Sequence, residues 1–283
     1  MALSPAHRFG QIIGELLEEA VRPMLQRVAD EHDLFLDHKH PRAARNGRRK
    51  VAWKDDRGNV HDLDFVLEEG GSEAVIGKPR GFIEIAWRRY TKHSRNKAQE
   101  IQGAIIPLAE THRDARPFLG VVLAVVFTEG SLRQLRSHGF EVVYVPYESV
   151  VAAFREANID ANFDEDASDA LLLRKVRAFQ KLSGKTKQRI AARIRELHQG
   201  EFDSFLSAFN AALSRAVQSI TILALFGKPR QWNSMDQAVA FIKSFAVPNA
   251  AGPFVRFEIC VRYTNSDEVR GEFQEKRSAI DFL

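Results

Sequence analysis

The chain has 283 residues, of which 45% are hydrophobic and 28% are charged, with 17 Gly, 10 Pro and a single Cys. This composition is typical of an ordinary globular protein and excludes a fibrous chain, a low-complexity chain and a disulfide-stapled mini-protein. The net charge of +4 is small, so the distribution of charge along the chain is more informative than its sum.

The sequence predicts a protein outside membranes. Its longest apolar runs, residues 120–127 and 219–226, are far shorter than the ~20 residues of a membrane-spanning helix. The first twenty residues carry three glutamates and lack the small-residue cleavage pattern of a signal peptide. The lone cysteine, Cys260, cannot form an intramolecular disulfide. We therefore expect a cytoplasmic protein.

Positive charge is concentrated in three segments, residues 38–54, 78–97 and 174–195, which hold seven, seven and nine Lys or Arg residues. The first and third contain no carboxylate, and the second contains only Glu84. A polyanion favours such clustering through counterion release, so nucleic acid is the expected partner. A solvated helix face stays open as the interpretation of residues 174–195. An anionic membrane is less favoured, because none of the segments is a clean amphipathic helix with exposed aromatics.

The hydrophobic pattern of the first part of the chain predicts alternating helices and strands. The predicted order is a helix over 9–28, a hairpin of 50–53 and 60–67, a strand over 81–87, a helix with Ser94 as its N-cap, a strand over 119–127, a helix over 131–139, a strand over 140–147 and a helix over 149–157. This alternation predicts an α/β sandwich with a mixed or partly parallel sheet.

The rest of the chain has a different texture. Residues 167–225 are predicted to be rich in helix, and a further helix is predicted over 235–245. Residues 254–263 and a segment near the C-terminus are predicted strands. We therefore expect a core domain over residues 1–165 and a helix-rich region over residues 166–283 that binds DNA or completes the core.

Two carboxylates stand out within apolar strands. Asp64 comes directly before the apolar run of residues 65–67, and Glu84 is the one acid within residues 81–87. Pairing of the two strands would bring these carboxylates together, and buried carboxylates repel one another unless a cation joins them. The pattern therefore predicts a site for a hard divalent cation, Mg²⁺ first. Asp62 is interpreted as a solvent-facing residue of a half-buried strand.

The segments LDFVLE around Asp64 and FIEIAW around Glu84, followed by a polar and basic helix, resemble the PD-(D/E)XK nucleases and, within them, the type II restriction endonucleases. The resemblance covers about residues 10–150. It implies a restriction-endonuclease-like sandwich, a central mixed sheet flanked by helices, in which Asp64 and Glu84 are catalytic and bind Mg²⁺. It also implies a sequence-specific endonuclease that cuts double-stranded DNA as a homodimer, because a palindromic duplex presents two equivalent strands.

The chain departs from the family pattern at one position, since Ala86 stands where the family has a lysine two residues after the glutamate. Alanine can neither position a water nor release a proton, so another lysine acts or the chemistry is lost. Lys97 is our first candidate, because it lies on the face of the predicted helix that the apolar residues turn toward the sheet. Lys92 is the second candidate, and Lys50 and Lys54 on the hairpin stay open.

We expect DNA contacts from two groups of residues beside the acidic pair. The basic loop contributes Arg42, Arg45, Arg48, Arg49 and Lys50. The segment after Glu84 contributes Tyr90, Thr91, Ser94, Arg95 and Asn96, which are residue types that contact phosphates. Residues 174–195 are expected to embrace the duplex as well.

Alternatives stay open for the residues and for the function. Glu84 can form a structural ion pair with Arg88 or Arg95, and Glu19 is either an acid behind the metal ligands or a solvated helix residue. The chain can also be a structure-selective repair or recombination nuclease of the same fold. A DNA-binding protein that has lost catalysis is the third possibility, and Ala86 supports it.

Overall fold

The computed structural model describes residues 4–88, 91–163, 167–214, 216–246, 254–264 and 267–283, and for residues 88 and 91–94 it describes the backbone alone. The chain divides into two compact units, Met1–Asn210 and Ala211–Leu283. No helix in the described part of the chain is long and apolar enough to cross a membrane.

The first unit has an α/β architecture. Its elements are α1 (Pro5–Glu31), β1 (Leu34–His38), β2 (Val51–Lys54), β3 (Val60–Leu63), β4 (Phe65–Glu69), β5 (Lys78–Arg88), α2 (Thr91–Thr111), β6 (Phe118–Val125), α3 (Glu129–Ser137), β7 (Glu141–Pro146), α4 (Tyr147–Phe154), α5 (Asp169–Gln180), α6 (Gly184–Leu197) and α7 (Gln199–Leu213), the last of which ends within the second unit.

A five-stranded mixed sheet forms the centre of this unit, in the order β1-β4-β5-β6-β7. β4 pairs antiparallel with β1 and with β5, whereas β6 pairs parallel with β5 and with β7. β2 and β3 form a separate antiparallel hairpin. These pairings confirm the predicted α/β class with a mixed sheet.

Helices α1 and α2 pack on opposite faces of β5. Gly10 of α1 lies against Trp87 of β5 so closely that a Cβ at this position would be 1.9 Å from the indole ring. The neighbouring Ala86 belongs to a buried cluster with Ala98 and Ile101 of α2. Successive residues of a strand point to opposite faces, so the two helices cover the two sides of β5. Glu84, the acid of β5, is therefore largely covered by helix and only 14% exposed.

The second unit is built on a four-stranded antiparallel sheet in the order β11-β10-β8-β9. Its elements are β8 (Val217–Ala224), β9 (Arg230–Trp232), α8 (Met235–Ser244), β10 (Phe257–Tyr263), β11 (Glu268–Phe273) and α9 (Lys276–Phe282). Ala238 and Ile242 of α8 and Ala279 of α9 pack with Ile220 and Phe257 in a buried cluster.

Three features differ from the sequence-based expectations. The two units divide after Asn210 and not near residue 165, because α5 and α6 pack on α1. Val217–Ala224 is a strand, as its β-branched residues favour, so the helix-rich region ends earlier than expected. Helix α2 begins at Thr91, which places Ser94 inside the helix and not at its N-cap.

A buried charge cluster joins β1, β4 and the loops that follow them. The Arg42 guanidinium lies 2.7 Å from Asp37 Oδ2 and 2.6 Å from Glu68 Oε1. It also donates hydrogen bonds to the carbonyls of Ser72 and Val75, at 3.0 and 2.6 Å. Arg45 completes the cluster, 3.1 Å from Asp37 Oδ1. Burial of these charges is tolerated because each faces a charge of opposite sign.

This cluster corrects the assignment of Arg42 and Arg45 as DNA contacts. The Arg42 side chain is 0% exposed and the Arg45 side chain is 6% exposed, so neither guanidinium reaches a duplex. Both hold the loop between β1 and β2 to the sheet. Arg48, Arg49 and Lys50, the other members of the predicted group, are exposed.

We expect Arg42→Met to lower the free energy of unfolding by about 3–5 kcal/mol, because it leaves Asp37 and Glu68 buried with less compensating charge. Urea denaturation of the purified variant measures this loss. Arg48→Met, the matched change at an exposed position, should alter the free energy by no more than about 0.5 kcal/mol. An Arg42 variant of wild-type stability with weakened DNA binding would restore the sequence-based assignment.

Candidate active site

Asp64 and Glu84 face each other across two neighbouring strands. β4 and β5 are antiparallel, with Phe65 opposite Ile83 and Val66 opposite Phe82. Asp64 directly precedes β4, and the hydrogen bond from the Ile85 N–H to Asp64 Oδ2 places its carboxylate beside Glu84. The structure thus brings together the two acids that the sequence singled out.

Backbone N–H groups hold both carboxylates in place. The N–H of Ile85 donates to Asp64 Oδ2 at 2.7 Å. The N–H of Asp64 in turn donates to the Glu84 carboxylate. The Glu84 side chain is 14% exposed, so its orientation is fixed by protein groups more than by solvent. This reciprocal bonding orients the oxygens of both acids without neutralising either charge.

The electrostatics of the pair favour a bound proton or cation. Burial raises the pKa of Glu84 to about 8, the negative charge of Asp64 raises it as well, and Lys97 lowers it. Burial also raises the pKa of Asp64, against the opposing effects of the Ile85 N–H and of Lys97. Two carboxylates at this distance resist simultaneous ionisation. A positive charge between them would relieve that repulsion.

Lys97 supplies part of this positive charge from α2. Its Nζ donates to Glu84 Oε1 at 3.4 Å and lies 3.6 Å from Glu100 Oε2. The Lys97 side chain is 19% exposed, whereas Ala98 on the same helix turn is fully buried. Lys97 of α2 therefore contacts Glu84, the acid that the lysine of the PD-(D/E)XK pattern follows by two residues. Ala86 packs in the core.

The other lysine candidates are distributed around this site. The side chain of Lys92 lies outside the described residues. Lys50 forms an ion pair with Asp62 on the hairpin, and the Asp62 side chain is 49% exposed, as expected of a solvent-facing residue. Lys54 is exposed on the same hairpin.

A third acid, Glu18 of α1, approaches the pair from another element. Burial raises the pKa of Glu18 to about 7, and the charge of Asp64 raises it further. The sequence-based candidate is Glu19, whereas the acid that meets Asp64 is Glu18. Helical periodicity alone does not rank the two, because both lie outside the apolar stripe of α1 and only the position of β4 decides which of them meets Asp64.

The predicted DNA contacts near Glu84 are described in part. Arg95 and Asn96 are exposed on the first turns of α2. Thr91 and Ser94 begin this helix, but their side chains lie outside the described residues, and Tyr90 lies outside them altogether. The Arg88 side chain is also undescribed, so among the described ion pairs Glu84 has Lys97 as its partner.

The donor set was compared with the needs of a metal ion. Among the described residues, no group of three or more His, Cys, Asp or Glu side chains is arranged to hold a metal ion. Asp64 and Glu84 are nevertheless hard oxygen donors with raised pKa values, and Mg²⁺ is commonly bound through one or two carboxylates plus waters and substrate phosphates. The residues fit Mg²⁺ in that mode.

Comparison with known proteins adds little to this geometry. No family model matches the sequence, and no curated protein matches it. A solved crystal structure of a protein of unknown function aligns with 65% of this chain and 99% of its own, at 11% identity and a TM-score of 0.28. A similarity of this size supports no conclusion about fold or function.

We expect the stability of the metal-free protein to fall as the pH rises through the pKa of Glu84. The folded state holds the Glu84 proton up to about pH 8, whereas the unfolded chain loses it near 4.5, so this stabilisation is complete below pH 4.5 and is lost as the pH rises through about 8. Glu84→Gln keeps the neutral form at every pH. The thermal midpoint of the variant should therefore rise relative to wild type between about pH 5 and about pH 9.

The control is Glu110→Gln, a matched change at an exposed position of α2. Its midpoint should differ from that of wild type by the same amount at every pH. If the thermal midpoint of Glu84→Gln also differs from that of wild type by the same amount at every pH, Glu84 has the same pKa in the folded protein as in the unfolded chain.

Proposed function

We propose that this protein is an Mg²⁺-dependent endonuclease of the PD-(D/E)XK type that hydrolyses phosphodiester bonds of double-stranded DNA. The observation that carries the proposal is the proximity of Asp64, directly before β4, to Glu84 of β5, with Lys97 Nζ 3.4 Å from Glu84. Two acids and a lysine are the residue types that such an active site needs, and here they converge from three elements. The mixed sheet with α1 and α2 on its two faces supports a restriction-endonuclease-like fold.

Asp64 and Glu84 would hold the metal ion through their carboxylate oxygens, with Glu18 close behind Asp64. When bound, Mg²⁺ supplies charge neutralisation at the phosphoryl oxygens and lowers the pKa of a coordinated water. The Ile85 N–H keeps Asp64 oriented toward the shared site. The buried surroundings of both acids strengthen each electrostatic interaction with the substrate.

Lys97 takes the role that the residue at position 86 cannot fill. Its ammonium group lowers the pKa of Glu84 against the larger effect of burial, and it lies where it can orient an attacking water. A fixed cation beside the developing negative charge of the phosphoryl group stabilises the transition state without reorganisation. The departure at Ala86 is therefore compatible with catalysis, because a lysine from α2 reaches the same carboxylate.

The exposed positive charge of the first unit bears on the substrate. Exposed cations lie on the β1–β2 loop and on α2, namely Arg48, Arg49, Lys50 and Arg95. Such cations contact backbone phosphates, which favours a nucleic-acid substrate. We propose a sequence-specific restriction enzyme acting as a homodimer on a palindromic duplex.

We expect Asp64→Asn, Glu84→Gln and Lys97→Met to lower the rate of Mg²⁺-dependent plasmid cleavage, the acid variants by at least about a thousandfold and the lysine variant by about a hundredfold. Duplex binding should be retained in all three, because each keeps the basic surface. Cleavage of unmethylated plasmid, followed on gels with and without Mg²⁺, measures the rate.

Two variants control this experiment. Asp62→Asn changes an exposed acid two residues from Asp64 and should cut at the wild-type rate. Lys92→Met should also cleave the plasmid. If Lys92→Met is inactive while Lys97→Met is active, Lys92 is the catalytic lysine and Lys97 is not. Full activity of Asp64→Asn or Glu84→Gln would refute the active site. DNA binding by wild type without cleavage in Mg²⁺ or Mn²⁺ would select the non-catalytic alternative, and cleavage of branched DNA alone would select a repair nuclease.

We expect Glu18→Gln to raise the Mg²⁺ concentration needed for half-maximal cleavage by about tenfold, because it removes a negative charge beside the Asp64 ligand. Glu19→Gln is the matched change one residue along the helix and should leave that concentration near the wild-type value. A titration of cleavage rate against Mg²⁺ distinguishes them. An effect at Glu19 with none at Glu18 would show that the wrong glutamate of α1 has been placed at the site.

A further inference from the structure

An open cleft of about 390 Å³ lies between α1 and α6. Pro23, Ala191 and Ala192 contribute small side chains to its lining. Its polar lining consists of Glu19, Arg22, Gln188, Arg189 and Arg195. Three guanidinium groups therefore share this cleft with one carboxylate, and the lining carries a net charge of +2.

Two of these arginines have donors to spare. Arg22 and Arg189 are exposed, and Arg22 makes no hydrogen bond or ion pair with any residue that the structure describes. Arg189 donates from NH2 to the carbonyl of Glu156 at 3.0 Å. A guanidinium group has five N–H donors, so this bond leaves most of them available.

Arg195 has a structural part as well. It donates from NH1 to the carbonyl of Ala20 at 3.0 Å and so connects α6 to α1. This contact lies next to Pro23, which lacks an N–H and leaves the helical ladder of α1 incomplete. The bond fixes the width of the cleft, and Arg195 is for that reason unsuitable as a test position.

The cleft adjoins the candidate active site along α1. Glu18 and Arg22 are separated by four residues and share a helix face, with a rise of about 6 Å between them. Arg22 is close enough to lower the pKa of both Glu18 and His38, next to the larger effects of burial. The rise corresponds to one to two nucleotides at about 3.4 Å each.

We propose that Arg22 and Arg189 bind backbone phosphates of the duplex beside the scissile bond, and that the DNA strand runs from Asp64 and Glu84 along α1 into this cleft. The inference rests on the proposed function. The planar guanidinium fork matches phosphate oxygens in a bidentate manner, and the small side chains lining the cleft leave room for the backbone. The cleft has a net positive charge and an amide donor in Gln188. These features favour a phosphodiester as the ligand over an acidic protein surface.

The test is duplex binding by the full-length protein in EDTA, so that no hydrolysis takes place, measured by fluorescence anisotropy between about 50 and 200 mM salt. We expect Arg22→Ala and Arg189→Ala each to weaken binding several-fold. Each should also lower the slope of log K against log salt by about 0.9, the contribution of one phosphate contact. Arg195 is kept intact.

Matched controls lie on α1 and α3, outside the cleft. Arg27→Ala on α1 and Arg133→Ala on α3 remove one exposed positive charge each without touching the cleft. They should leave the salt slope at the wild-type value. The proposal is overturned if the two cleft variants keep the wild-type salt slope. It is also overturned if the control variants lose as much duplex affinity and salt slope as the cleft variants.

A parallel cleavage assay of wild type in Mg²⁺ separates this inference from the proposed function. If wild type cleaves the duplex and the cleft variants bind it as tightly as wild type, the assignment of the cleft is refuted and the nuclease proposal stands. Binding that depends on Arg22 and Arg189 without any cleavage refutes the nuclease alone and supports the cleft. Arginine-dependent binding to vesicles of anionic lipid, with no binding to the duplex, would identify a membrane surface as the partner and refute both.

Discussion

The opposition of two carboxylates across β4 and β5 is the constraint on which the rest of the site depends. Two acids in a largely buried position repel one another, and that repulsion is tolerated because the Ile85 N–H, Lys97 and the approach to solvent offset part of it. The strand register is decisive, since a slip of one residue would turn one acid to the other face. Helices on both faces then set what surrounds the pair: α2 contributes Lys97, and α1 contributes Glu18.

The molecule contains a second group of buried charges, and the contrast between the two explains why only one of them is a candidate active site. Around Arg42, two cations face two acids, and the guanidinium donates to backbone carbonyls as well. At the candidate site, Lys97, Lys39 and Arg22 act on the carboxyls of Asp64, Glu84 and Glu18, yet burial still raises the pKa of all three acids. The charge-balanced cluster holds loops to the sheet, whereas buried acids with raised pKa values favour a bound proton or cation.

The same contrast separates what the sequence could predict from what it could not. The proximity of Asp64, Glu84 and Lys97 can be predicted because each interrupts or extends an apolar pattern with a definite period, and period determines the face that a residue occupies. Arg42 and Arg45 were misassigned because Asp37 and Glu68, their partners, come from β1 and β4, and β1 was too short a run to be recognised. The role of Glu18 could not be predicted, because it depends on where Asp64 lies relative to α1, and the periodicity of a helix does not give that position. Val217–Ala224 differs from the predicted helix because a short segment rich in apolar residues suits either state, and the pairing with β9 and β10 decides it.

Several cations of the basic segments are buried or paired in the structure. A count of charges along the chain therefore overstates the positive surface that a polyanion can reach. In the segment of residues 174–195, Lys175 is buried and bonded to the carbonyl of Asp160, and Arg193 is shared between Glu156 and Glu196. Arg189 and Arg195 of this segment line the cleft where α6 meets α1. Arg22, which lies outside all three basic segments, joins them there because two helices that are distant in sequence pack together. The positive surface beside the candidate site is therefore a property of helix packing, and a sequence segment contributes to it only through the side chains that packing leaves unpaired.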